Sequence, residues 1–511
     1  MKEFLSKNKF KIIFFVVILL AAFLRLWRLP EYMTFLGDEG RDALAIKHII
    51  VDHRFRLIGP VTSIGNMYLG PLYYYLMLPA MFIFRLSPVG PALMVAVLGI
   101  ITVYLIYLFG KEWIGEKGAM IAAFLYAISP VVIIYSHSSW NPNVMPFFAL
   151  LSLFGIWRVW QKRQFIWLPI LGITLSFCIQ SHYLGLLIFP TVFIFWLITL
   201  IEMVKKKEKL KTFFLQTLLL LVLFGFLTVL PLVWFDLRHG SINANAFKEF
   251  FTVRQTTVNL KPYKAIPKFV DLTVQVFTRL ISGKDAFWGP IVSGLTFLFL
   301  LIFLVFDIFK KKTKGFLKEN KGIIFLFVWF LVGLFGLGNY KQNIYDHYFG
   351  FFFPAPFLFI GWLLARICNF KKIKIGALIV VLVLAFLTFL SFKESPLRYP
   401  PNNQFGRTQE VAKFVIEKSE DKPFNLALIA ERNYDDAYAF FLEIWGYKPV
   451  RIEPLNTEET ITDQLFVICE KLPCEPINHP KAEIAMFGWV EIEQKWDFKG
   501  VEVYKLVHTE K

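Results

Sequence analysis

The chain has 511 residues, 56% of them hydrophobic, with 58 Phe and 14 Trp, so a water-soluble fold would have to expose most of its apolar surface. Lipid is the expected solvent. The formal charge of +17, from 55 Lys and Arg against 38 Asp and Glu, does not point to nucleic acid, because most of the excess sits in short breaks between apolar runs, where cytoplasmic loops collect Lys and Arg.

The first apolar run, 10–27, continues into Arg25, Trp27 and Arg28 without a small-residue cleavage pattern, and it reads as a spanning helix rather than a signal. Residues 29–70 form a long polar loop. Residues 71–84 are apolar and aromatic but too short to span, as expected of a helix lying at the interface. Further spans are predicted at 91–109, 119–136, 144–160, 165–179, 183–201, 212–235, 290–306, 322–337, 348–365 and 375–392, giving about eleven in all. With the N-terminus cytoplasmic and 71–84 not spanning, three basic clusters fall inside: Lys205 to Lys211, Lys310 to Lys321, and Arg366 with Lys371, Lys372 and Lys374. The opposite arrangement would turn every cluster outward, against the positive-inside rule. The extracytoplasmic face then receives the loops 29–70 and 236–289 and everything after Phe392.

Residues 1–392 read as a transmembrane domain and 393–511 as a small extracytoplasmic α/β domain. In this tail, helices are predicted over 409–418 and 435–445, and strands over 425–430, 465–469 and 501–506. It contains no Gly-rich phosphate loop, metal spacing or nucleophile elbow, so a supporting or acceptor-contacting role is expected of it. Cys178 and Cys368 lie in apolar runs, whereas Cys469 and Cys474 stand close together in the tail, either bridged or as a free pair.

Directly after the first span, Asp38, Glu39, Arg41 and Asp42 place four charges within five residues. One reading is a solvated helix start, with acids favoured at its positive end and Asp38 spaced to meet Arg41. The other is chemical. A carboxylate beside low-dielectric lipid can have its basicity raised enough to take a proton from an acceptor hydroxyl. Neighbouring helical residues point about 100° apart, so Asp38 and Glu39 cannot both address one reacting atom; one acts while the other orients.

The acidic pair is followed by Tyr68, Leu69, Gly70, Pro71, Leu72, Tyr73, Tyr74, Tyr75 and Leu76. In that order the two motifs resemble those of the C-type glycosyltransferases, above all the protein O-mannosyltransferase and aminoarabinose transferase group. The resemblance covers roughly 10–392 and is loose in the tail. It implies a mainly α transmembrane bundle in the cell membrane and a sugar taken from a polyprenyl-phosphate donor. The sugar would pass, usually with inversion, to a hydroxyl of a lipid-linked or cell-surface glycan or protein on the outer face. Asp38 matches the family's catalytic carboxylate, and Glu39 the neighbouring acid that positions acceptor or base. Arg41, Asp42 and Tyr68 would contact substrate beside them.

Negative charge builds on the departing phosphate, so cations or donors must face it. Arg238 and His239 beyond the seventh span, and Lys341, Tyr345 and His347 ahead of the tenth, fit that demand, with Arg238, Tyr345 and His347 foremost. Each also reads as interfacial snorkelling or loop solvation. The chain departs from the group where Leu69, Gly70 and Pro71 replace a Lys-Pro-Pro, and where His137 and Asn143 replace an Arg and an Asp. Asn141 and Asn143 read equally as the cap of the fourth span, and His182, or Asp271 with Arg279, as cavity lining or satisfied polar groups. Asp38, Glu39 and Asp42 offer oxygen atoms to Mg²⁺ or Mn²⁺, yet no convincing ligand spacing supports a metal, and no cofactor is expected. Membrane lipid is an expected partner and nucleic acid is not. The rival readings are a multi-span transporter or lipid-linked glycan flippase, which would need ionisable groups at bilayer depth, and a glycan polymerase or ligase.

Overall fold

Backbone amides inside hydrocarbon have no water to bond, so each apolar run must close its own hydrogen bonds as helix. In the computed structural model, which describes residues 2–62, 67–252, 257–259, 261–368 and 374–509, all eleven predicted runs are helical. Lys371 and Lys372 of the third basic cluster, and residues 63–66 and 253–256 of the two long loops, lie outside the described residues. Among the described residues, seven helices are long and apolar enough to cross a membrane: Val89–Ile114, Asn141–Lys162, Tyr183–Lys205, Lys211–Arg238, Trp288–Phe309, Lys321–Gly338 and Ile375–Lys393. The pair Asp346–Phe352 and Pro354–Cys368, which meet at a 61° bend, makes an eighth if the two are counted as one broken span. The first helix, Lys2–Leu26, runs for 25 residues.

Two predicted spans do not form single helices long enough to count as crossings. Residues 119–136 divide into Glu116–Ile128 and Pro130–Ile134, with Ser129 extended between them (ψ 122°); Pro130 lacks the N–H that would continue the first helix. The run 165–179 forms Trp167–Ser181, 15 residues long. The helix Leu72–Ile83 packs against Gly37–Ile50, Val89–Ile114 and Trp167–Ser181, burying Tyr73, Tyr74, Met77 and Met81. Asn141 and Asn143 do not cap the fourth span. Both amides are spent on other carbonyls, Asn141 on Ser181 at the end of Trp167–Ser181 (2.6 Å) and Asn143 on Ser138 (2.9 Å).

The C-terminal domain is a four-stranded sheet in the order β1-β2-β4-β3, with β1 Asn425–Ile429, β2 Gln464–Cys469, β3 Val490–Phe498 and β4 Val501–His508. β1 and β2 are parallel and the remaining pairs antiparallel. Strand side chains alternate between faces, and the two faces of the sheet feed two cores. Leu426, Leu428, Phe466 and Ile468 join the main core, while Ala427, Ile429, Leu465 and Val467 form a second one with Ile484 and Phe487. Cys469 and Cys474 are joined in a disulfide.

The domain docks on the helix Gly37–Ile50 through its own helix Asp436–Ile444. Phe35 sits among Phe405, Phe440 and Phe441 at 5.4–6.0 Å, and Glu443 accepts from Lys47 (3.0 Å) and meets His48 (2.8 Å). Contact is closest at Gly40, where an added Cβ would lie 2.3–2.5 Å from backbone atoms of Asp436 and Ala437. Alanine is the better helix former by up to about 1 kcal/mol, so Gly40→Ala separates propensity from packing. It is expected to destabilise the protein by roughly 1–3 kcal/mol through overpacking, checked by thermal unfolding in detergent.

Candidate active site

Leu36 is extended (φ −118°, ψ −167°) and the helix carrying Asp38 begins at Gly37. Its first amides need acceptors, and two side chains supply them. The Leu36 N–H donates to Glu39 Oε2 (3.1 Å), and the Gly37 N–H donates to Oδ1 of Asn433, in the C-terminal domain (2.8 Å). Glu39 is thereby turned into the protein, against a small cavity lined by Met33, Phe35, Pro88, Pro91 and Ser139. Asp38 points elsewhere and its side chain is 39% exposed. Its Oδ1 accepts from Arg41 Nη1 (2.7 Å) and from the Tyr434 hydroxyl (2.5 Å). The other edge of Arg41 grips Asp42 Oδ1 through Nε and Nη2 (3.0 and 2.8 Å). Burial pushes the Glu39 carboxyl up to about 8, helped by the Asp38 charge, and pushes Asp42 up to about 6 against the pull of Arg41.

Two clefts adjoin this region. One, of about 420 Å³, lies between the helix Gly37–Ile50 and the C-terminal domain, and Arg41, Arg56, Tyr68, Tyr74, Lys448 and Arg451 are among its lining residues. The lining acids are already engaged, Asp436 by Arg451 and Glu443 by Lys47 and His48. The other, of about 490 Å³, is lined by Tyr135, Trp140, Gln275, Arg279, Tyr345, Asp346 and His347. Polar and ring contacts run between the two: Tyr183 donates to the Tyr68 carbonyl (3.3 Å), and the His182 ring lies 5.7 Å from His347 and 5.0 Å from Tyr348.

The structure therefore places Arg41 and Tyr68 in the lining of the first cleft, with Asp38 and Asp42 joined to it through Arg41, and Tyr345 and His347 in the second. Arg238 lies over the Trp234 ring (5.0 Å), and His239 stacks on Phe235 (4.1 Å) with Nδ1 2.8 Å from that residue's carbonyl. Neither lines either cleft, nor does Lys341, whose side chain is exposed. The expected pairing of Asp271 with Arg279 is not formed; Arg279 instead makes a two-pronged bond to Asp346 (2.6 and 2.5 Å). Asp38, Glu39 and Asp42 do not converge on a common point, since Glu39 faces the interior and Asp42 faces Arg41. Among the described residues, His48, Asp52 and Glu443 bring ligand atoms within 4.8 Å of one another, but the Lys47 ammonium donates to both carboxylates there, which is a poor setting for a cation. Asn433, Tyr434, Arg56, Lys448 and Arg451 were not among the predicted site residues. The sequence signal left by Asn433 and Tyr434 is the polar run Arg432 to Asp436 between a strand and a helix.

Residues 69–234 match the family model described as dolichyl-phosphate-mannose-protein mannosyltransferase. The fold is similar to that of ArnT from Cupriavidus metallidurans bound to undecaprenyl phosphate, with TM-score 0.61 and 11% identity over 98% of this chain and 98% of that one. The chain has the C-type glycosyltransferase fold. A second protein similar to it is the archaeal oligosaccharyltransferase AglB from Archaeoglobus fulgidus, in complex with an inhibitory peptide and a dolichol-phosphate (TM-score 0.52, 14% identity, 91% of this chain and 70% of that one). AglB is also similar in its complex with Zn and sulfate, with TM-score 0.51 and 13% identity over 89% of this chain and 67% of that one. No curated protein sequence matches the chain significantly. Within this C-type fold the Asp38 helix opens on the side where the C-terminal domain docks.

The buried Glu39 gives a stability test. The folded protein holds its proton more tightly than an unfolded chain, where the group titrates near 4.5, so its contribution is complete below about pH 4.5 and is lost as pH rises through about 8. Glu39→Gln keeps an oxygen for the Leu36 N–H and cannot ionise. It is expected to flatten the fall of the melting temperature between about pH 6 and 8, while the fall below about pH 6 due to Asp42 persists; melting curves across pH in detergent check both.

Proposed function

We propose that this protein moves a sugar from a polyprenyl-phosphate carrier to a hydroxyl of a lipid-linked or cell-surface glycan or protein, on the extracytoplasmic side of the cell membrane, with Asp38 as general base. The observation that carries this reading is the Asp38 carboxylate: half-exposed at a helix start, fastened on one oxygen by Arg41 and Tyr434, beside a cationic cleft in a C-type fold. Its other oxygen, Oδ2, accepts no hydrogen bond among the described residues. In the reaction, the acceptor O–H gives its proton to Oδ2 as its oxygen bonds to the anomeric carbon. The carbon–oxygen bond to the carrier breaks, and the phosphate leaves with the electron pair. Arg41 and Arg56 line the cleft where that charge would be met. Arg238, at the outer end of the lipid-exposed helix Lys211–Arg238, would meet a carrier arriving laterally.

Orientation and division follow the same reading. The N-terminus is placed in the cytosol, and residues 393–511 outside. The basic turn around Lys205 to Lys211 joins Tyr183–Lys205 to Lys211–Arg238 at the end opposite Arg238, which supports this. Transport would need charged groups along a central path; among the described residues the ion pairs of the bundle, such as Arg279 with Asp346 and Arg366 with Asp307, sit near helix ends. No cofactor enters the proposed reaction.

Asp38→Asn keeps the shape and removes the base. It is expected to lower transfer by about 10²–10⁴-fold with melting temperature and membrane insertion unchanged. The measurement uses purified full-length protein with radiolabelled undecaprenyl-phosphate sugars, and pyrophosphate-linked glycans in a parallel arm. Transfer retained by the variant would falsify the base assignment, and transfer only from the pyrophosphate-linked donor would move the protein to the oligosaccharide-transferring class. A thiol-specific, membrane-impermeant reagent applied to cells carrying Lys448→Cys should label it from outside.

A further inference from the structure

One polar contact of the C-terminal domain falls on the proposed base, and it comes from a residue 396 positions away in sequence. Tyr434 lies in the connection between β1 and the helix Asp436–Ile444. Its hydroxyl donates to Asp38 Oδ1 at 2.5 Å and accepts from Arg41 Nη1 at 3.2 Å, while Arg41 Nη1 itself donates to the same Oδ1 at 2.7 Å. Three polar atoms therefore close on one another, and the single hydroxyl proton has one destination. Burial, with Arg41 opposing, raises Tyr434 well above the ordinary tyrosine range, so the hydroxyl remains a donor.

The position of Tyr434 is set independently of that hydroxyl. Its ring lies over Gly37, where any Cβ would come within 2.6–2.7 Å of ring carbons. Its own N–H donates to Asn433 Oδ1 (2.9 Å), the same oxygen that receives the Gly37 N–H. Asn433 Nδ2 is in turn held by Glu470 Oε2 (2.9 Å), and Glu470 Oε1 also takes the Tyr438 hydroxyl (2.7 Å). The first turn of the Asp38 helix is thus capped and fastened from the C-terminal domain by two adjacent side chains. A residue needed only for docking would not require its hydroxyl on the carboxylate, because ring packing and the Asn433 cap already make the contact.

We propose that Tyr434 is a positioning residue of the transfer reaction: its hydroxyl fixes Asp38 Oδ1 and leaves Oδ2 aimed at the acceptor hydroxyl. This rests on the reading of Asp38 as the base. The titratable and charged groups facing this pair are Glu39, Arg41 and Asp42 on the same helix, Tyr74 from Leu72–Ile83, and Tyr434 itself. A donor on the ionised carboxylate favours the charged form, and Tyr434→Phe removes that donor.

The test uses the full-length protein and reads Asp38 without any substrate. A hydrophobic carbodiimide couples to protonated carboxyls, and peptide mass spectrometry separates Asp38 from Glu39 and Asp42. In Tyr434→Phe, which keeps the ring over Gly37, the labelling midpoint of Asp38 is expected to move up by about one pH unit. Transfer from undecaprenyl-phosphate sugars should fall about tenfold in kcat/KM, with the acid limb of the pH profile moving in step and donor KM within about twofold. Replacement of Tyr434 by 3,5-difluorotyrosine, a stronger donor of nearly the same shape, should move both the midpoint and the acid limb down, and it serves alone if the Phe variant does not fold. An Asp38 midpoint and acid limb that stay in place in these variants, while Asp38→Asn is inactive, overturn the positioning role and leave the base assignment standing. Transfer retained by Asp38→Asn removes the base assignment, and the role of Tyr434 with it.

Discussion

A methyl group on Gly40 would lie 2.3 Å from the amide nitrogen of Ala437, so the helix that carries Asp38 and the helix of the C-terminal domain meet backbone to backbone, with no layer of side chains between them. The contacts between the C-terminal domain and the candidate site presuppose that distance. It lets the short side chain of Asn433 reach the Gly37 amide, brings Tyr434 to Asp38, and sets Glu443 beside Lys47 and His48. The apolar side of the same junction is continuous: Phe35, 1% exposed, belongs to a core shared by the bundle and one face of the sheet. A domain joined in this way is not a tethered appendage whose motion is the default; it is a wall of the site.

Much of the bundle was legible from the chain because a long apolar run has few places to go other than through lipid as helix. What the run lengths did not disclose is where a proline divides a helix, as at Pro130, or where two helical pieces meet at an angle, as at Phe353 before Pro354. In the tail, β1, β2 and β4 were visible as short apolar strands, whereas β3 was not. Its residues Glu491, Glu493, Gln494 and Lys495 are exposed at the edge of the sheet, and a strand that is partly buried only at Val490, Trp496 and Phe498 shows little of the alternation that betrays a half-buried one.

The site divides along the same line between local and distant. Asp38 and Arg41 are one helical turn apart, so their pairing follows from spacing alone. Asp271 and Arg279 are two turns apart, roughly 12 Å along the axis, too far for a direct bond, and Asp346 takes the arginine instead. Tyr434 and Asn433 could be found only by folding the chain, since 396 residues separate each from its partner in the Asp38 helix. Glu39 shows how a motif can mislead about direction: adjacent in sequence to Asp38, it faces the interior because it closes the turn begun at Leu36.

The strand order of the C-terminal domain has a bearing on biogenesis. β4 sits between β2 and β3, and β2 ends at Cys469, immediately before the Glu470 that steadies Asn433. Ribosomes deliver the membrane helices first, and these can insert and assemble while the sheet still lacks its inner strand. The Glu470 that steadies the loop bearing Tyr434 follows directly on β2, which pairs with β4 along its length. A nascent chain would therefore cross a period in which the bundle is complete but the first turn of the helix Gly37–Ile50 still lacks its cap from Asn433, so the candidate site is closed late in synthesis.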